Sequence, residues 1–102
     1  MILAEVVGTV VSTRKDSNLL GLKLLLTREV DSRMKPTGNW VVAADAVGAG
    51  NGELVLVAAG SSARLTDVTK DKPVDAVICG IVDTIESSER TIYSKHAGIE
   101  VA

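Results

Sequence analysis

The chain has 102 residues, enough for one small domain with a thin core. Eleven Lys+Arg against thirteen Asp+Glu leave a net charge of −2, so no general attraction to nucleic acid or to an anionic membrane is expected. Trp40 and Tyr93 are the only aromatics, so aliphatic side chains and alanine must fill the core and little surface is left for stacking bases.

In chain order, five aliphatic runs punctuated by turn residues predict strands over 2–12, 19–30, 40–47, 54–59 and 74–85. The turns between them are polar, as in "TRKDSN" and "KPTGN". Helical periodicity is weak throughout, so the expected fold is all-β, a five-stranded barrel or sandwich. One short helix is expected near 62–67, with Ser61 or Ser62 capping its N-terminus. The barrel domain is placed at 1–86. Residues 87–102 form a polar C-terminal segment whose end, "GIEVA", reads as either a short edge strand or a flexible tail.

The opening "MILAEVVGTVV" has no basic residues before its apolar run, and Glu5 interrupts that run, so no signal peptide is expected. No apolar stretch reaches the roughly 18 residues of a membrane span. Cys79 is the only cysteine, so no internal disulfide is expected.

The strands fail to alternate. "LKLLLT", "LVLVAA" and "VDAVICGIVD" carry apolar residues on both faces, whereas a strand with one wet face alternates. One face can point into a barrel. The other needs a cover, and with no helices to supply a full outer layer a second subunit is expected ahead of a compact one-chain sandwich.

Possible chemistry is sparse. Gly48, Gly50 and Gly52 have a phosphate-loop look, but the dinucleotide pattern needs a third glycine where Glu53 stands, and a strand follows instead of a helix. A strand–loop–strand connection is the better reading. Ser61, Ser62 and Cys79 are nucleophiles, yet the single histidine, His96, lies far along the chain, so no triad is indicated. One His and one Cys make no metal cluster. Asp75 and Asp83 sit too far apart on one predicted strand for joint acid–base work. The sequence thus offers no catalytic residues, no cofactor and no metal. A five-stranded barrel leaves an oligonucleotide-binding module as the alternative function, and an enzyme using Ser61 or Cys79 as a third.

Three blocks carry a resemblance: "AEVVGTVVSTRKDSNLLGLKLLL", "AADAVGAGNGELVLVAAGSSAR" and "KPVDAVICGIVDTI". In this order they resemble the pentameric vertex proteins of bacterial microcompartment shells, of the ethanolamine-utilisation and carboxysome type. The resemblance implies a barrel like the oligonucleotide-binding fold, assembled as a homopentamer. It implies a structural role in the bacterial cytoplasm, closing shell vertices beside hexameric facet proteins, with no nucleic acid or membrane as partner. It further implies that Gly48, Gly50, Gly52 and Glu53, and the second signature Gly60, Ser61, Ser62, Ala63 and Arg64, lie at or near subunit contacts. Arg64 is a candidate for an intersubunit bond.

Overall fold

A computed structural model describes residues 1–95 and the backbone of Gly98–Ile99. Five strands, β1 (Ile2–Val10), β2 (Leu24–Val30), β3 (Pro36–Asp45), β4 (Leu54–Ala59) and β5 (Ala76–Ile81), close a barrel in the order β1-β2-β3-β5-β4. All neighbours are antiparallel except β3 and β5, which run parallel and share two register pairs, Ala44↔Val77 and Asp45↔Ile78. A second sheet joins β6 (Thr84–Glu86), β7 (Thr91–Ser94) and β8 (Gly98–Ile99). Two short 3-10 turns, Ser17–Leu19 and Gly60–Arg64, complete the fold.

The expected five-stranded, nearly all-β barrel is present, with shifted boundaries. The second strand starts at Leu24, because Asp16 accepts a hydrogen bond from Asn18 N–H and winds Ser17–Leu19 into a turn. The third starts four residues early, at Pro36, where a proline is tolerated at a strand's first position. It ends at Asp45, whose carboxylate turns the chain. The fifth run breaks after Ile81, and its continuation joins the second sheet. The predicted helix is a 3-10 turn starting at Gly60, and no serine caps it: Ser62 Oγ donates back to Ala59 O at 2.8 Å.

The barrel core holds Ala4, Val6, Leu25, Ala43, Ala49, Val55, Val57, Ala76 and Ile78. Four alanines in this cluster suit the narrow lumen of a five-stranded barrel in a chain without Phe. Each fully buried Val, Leu or Ile contributes about 1.5–3 kcal/mol relative to exposure.

The second apolar face of the strands has covers the sequence did not disclose. The second sheet lays Tyr93, Ile85 and Ile92 against Leu3, Val30, Met34 and Leu54 on one side of the barrel. The excursion between β4 and β5 lays Ala63 and Val74 against Leu24, Ala44, Ala58, Val77 and Cys79 on another. A second subunit was the expected cover for these faces; for Leu54, Ala58, Val77 and Cys79 of β4 and β5 the cover comes from their own chain.

Candidate functional site

β3 ends in Asp45, and the loop to β4 folds around that side chain. Asp45 is buried, 9 % exposed, and its carboxylate accepts N–H bonds from Val47 (3.1 Å), Gly48 (3.0 Å) and Ala49 (3.0 Å). Glu53 Oε1 accepts the next N–H, that of Gly50, at 2.7 Å. Ala46 N–H goes to Ile78 O, Gly52 N–H to Val6 O and Glu53 N–H to Gly50 O. Gly48 and Gly52 have φ of 78° and 83°, a region costly for residues with a Cβ.

This arrangement settles the phosphate question in physical terms. A phosphate cradle presents free backbone N–H groups to its anion. Here the chain's own carboxylates and carbonyls occupy those donors, and two negative charges stand where the anion would go.

The loop is also a hub. Ala49, 1 % exposed, plugs one end of the barrel core. Lys23 Nζ reaches Ala49 O at 3.5 Å, and Glu53 Oε2 pairs with Lys95 Nζ at 2.8 Å. Strand β1, the start of β2, β5 and the segment after β7 therefore all meet at this loop. Lys95 and the Gly50 N–H hold the Glu53 carboxyl below the usual glutamate range, and Glu53 raises the Lys95 ammonium in turn.

A depressed carboxylate stabilises the fold fully above its unfolded value, and this contribution is lost as pH falls through the lower folded value. The raised lysine contributes below its ordinary value and stops contributing as pH rises through the folded one. Glu53→Gln is therefore expected to flatten the acid limb of a plot of urea midpoint against pH. An acid limb identical to wild type would refute this role.

The second signature lies elsewhere. Gly60–Arg64 follows β4 and the glycine loop precedes it, so the two sit at opposite ends of a six-residue strand, roughly 20 Å apart. Gly60 N–H donates to Asp75 O at 2.8 Å, and the buried Ala63 carbonyl accepts from Thr69 Oγ1 at 2.6 Å. Ser61 is exposed, and Arg64 Nη1 donates to Val74 O at 3.3 Å. The two signatures therefore do not form one pocket, and Arg64 has a partner within its own chain.

Cys79 is half-buried in β5 with its Sγ 3.6 Å from Leu56 O. His96 lies outside the described residues. Among the described residues no group of three or more His, Cys, Asp or Glu could hold a metal, and no helix is long and apolar enough to cross a membrane.

Asp45 and Lys95 were missed at the level of sequence. An aspartate ending a strand before a Gly/Ala loop is a turn signal that could have found Asp45. Nothing local points to Lys95, because its partner is distant in sequence.

Residues 1–83 match the family described as "Ethanolamine utilisation protein EutN/carboxysome". The carboxysome shell vertex protein CcmL of Synechocystis sp. is 48 % identical over 95 residues, which cover 93 % of this chain and 95 % of that protein. The solved structure of Gloeobacter violaceus CcmL superposes with a TM-score of 0.90 at 44 % identity, covering 94 % of this chain and 99 % of that one. That of the GrpN pentameric microcompartment shell protein from Rhodospirillum rubrum superposes with a TM-score of 0.77 at 47 % identity, covering 85 % and 100 %. With the matched span holding the whole barrel and both signature segments, the chain belongs to the EutN/carboxysome family.

Proposed function

We propose that this protein is a vertex component of a bacterial microcompartment shell. It assembles as a homopentamer, sits beside hexameric facet proteins, and works in the bacterial cytoplasm as a structural element, not an enzyme. The observation that carries this reading is the near-complete match to a solved pentameric shell protein. The loop geometry supports it: backbone donors that could bind a ligand are used to brace the fold. Within this reading the glycine loop and Gly60–Arg64 act near subunit contacts by holding the two ends of β4 rigid.

Nucleic acid is not a partner under this proposal. The net charge is −2, and of the two aromatics Tyr93 is buried at 6 % exposure. The expected native mass is close to five times the 10.6 kDa chain at low micromolar concentration. Light scattering that returned a stable monomer would remove the reading. Salt-sensitive binding of a labelled single strand at micromolar concentration would revive the oligonucleotide alternative.

A further inference from the structure

The loop between β3 and β4 holds the only Asn-Gly step of the chain, Asn51–Gly52; the other two asparagines, Asn18 and Asn39, precede Leu19 and Trp40. Asparagine is a thermolabile residue, and a following glycine makes it most so, because no side chain obstructs the attacking nitrogen. The Gly52 nitrogen adds to the Asn51 carboxamide carbon, forming an N–Cγ bond that closes a five-membered succinimide. The Cγ–Nδ2 bond breaks, and Nδ2 leaves as ammonia with the proton that the Gly52 amide gives up. Water then opens the ring at either carbonyl. One product is aspartate, and the other is isoaspartate, in which the backbone runs through the former side chain. Water is the only co-reactant. Two conditions remain: the Gly52 N–H must be free, and the bond between Asn51 Cα and its carbonyl must rotate to bring that nitrogen to the side chain.

The folded loop admits the water and withholds both conditions. Asn51 and Gly52 are exposed. The Gly52 N–H, however, donates to Val6 O at 2.8 Å, and Val6 N–H donates to Glu53 O at 3.0 Å, so both backbone groups of Val6 grip this segment. Val6 is 1 % exposed and fixed in the barrel core, so the acceptor cannot follow the loop outward. Glu53 N–H closes a turn onto Gly50 O at 3.2 Å, Gly52 has a φ of 83°, and Asn51 is not among the positive-φ residues, which makes 50–53 a type II turn. That turn sets the Asn51 ψ at about +120°, which carries the Gly52 nitrogen away from the Asn51 carboxamide. Glu53 Oε1 braces the same turn through the Gly50 N–H at 2.7 Å.

We propose that Asn51–Gly52 is a latent modification site: its tie to Val6 keeps it intact, and water converts Asn51 to aspartate or isoaspartate once the loop opens. The conversion runs one way. Either product adds a carboxylate beside Glu53 in a loop already built around the Asp45 carboxylate, and like charges at close quarters repel. Isoaspartate also lengthens the backbone inside a four-residue turn, so the Glu53-to-Gly50 bond cannot close as before. Chains that fold promptly keep Asn51, and chains whose loop dwells open lose it. The inference goes beyond the vertex reading and does not depend on a pentamer.

The test incubates the full chain, folded and unfolded in urea, at one mildly alkaline pH. Mass spectrometry and chromatography of the peptide that holds position 51 read its asparagine, aspartate and isoaspartate forms. Folded wild type is expected to convert at least about tenfold more slowly than the unfolded chain. Glu53→Ala, which releases the Gly50 N–H, is expected to narrow its own folded-to-unfolded ratio several-fold while keeping its far-UV circular dichroism. Equal rates for folded and unfolded wild type overturn the proposal, and so does a ratio that Glu53→Ala leaves unchanged. Protection that vanishes on dilution as the native mass falls belongs to a neighbouring subunit, and it overturns the role of Val6 without touching the pentamer reading. If Glu53→Ala fails to fold, amide exchange at Gly52 decides: slowing of at least about tenfold supports the proposal, and free exchange overturns it.

Discussion

Asp45→Ala is expected to lower the unfolding free energy by about 3–4 kcal/mol. The side chain accepts from three successive backbone N–H groups while nearly buried. A hydrogen bond to a charged group contributes about 1.5–3 kcal/mol net, and a buried donor left without a partner costs about 1–3 kcal/mol. These contributions overlap, so the total stays below their sum. Alanine removes the acceptor for all three groups, and the loop is too tightly tied to β1 and β5 to turn its donors outward. With a urea slope of about 1.5 kcal/mol/M, the midpoint should fall by about 2 M at fixed protein concentration. Asp45→Asn should cost less, because one oxygen remains to meet Val47, Gly48 and Ala49. A midpoint shift below about 0.5 M for the alanine variant would show that water replaces the carboxylate and that the loop is not built around it.

Tyr93→Ala should cost about 3 kcal/mol, with most of the damage confined to the second sheet. The ring is the buried centre of the cluster that joins β6 and β7 to Val30, Met34 and Leu54. Without it, the side-chain ties that remain between this sheet and the barrel among the described residues are Ile85, Ile92 and the Glu53–Lys95 pair. An exposed pair of that kind contributes at most about 1 kcal/mol. Amide hydrogen exchange should therefore accelerate across 84–94 more than in the barrel strands. Tyr93→Phe keeps the packed ring and is expected to cost under about 1.5 kcal/mol. Uniform acceleration over the whole chain would instead mean that barrel and sheet unfold as one unit.

The sequence was most legible where local patterning decides the outcome. Aliphatic runs and polar turns located every barrel strand, and Glu53 in place of a third glycine ruled out the nucleotide loop before any geometry was known. It was least legible where one distant segment decides what another does. Leu54 and Leu24 are both outward-facing leucines on strands with apolar neighbours. Tyr93, far along the chain, covers the first. Val74 covers the second. Nothing in either strand announces its cover. The polar tail hid β7 for the same reason: "TIYS" is a short strand because Thr84–Glu86 and Gly98–Ile99 are there to pair with it. Lys95 owes its role to Glu53, and that pair links residues whose neighbours carry no signal of each other.

The parallel seam between β3 and β5 has a consequence for how the chain reaches this state. The β1–β2–β3 meander closes through turns local in sequence, and microseconds suffice for such hairpins. The seam instead joins Ala44 and Asp45 to Val77 and Ile78 across the entire β4 segment and its excursion. Closing a loop of about 30 residues costs on the order of 3 kcal/mol of chain entropy, and two register pairs return little of it directly. The meander should therefore form early, and closure of the cylinder should come late, once β4 has brought β5 into place. In unfolding the order reverses, and the seam is where the cylinder first comes apart.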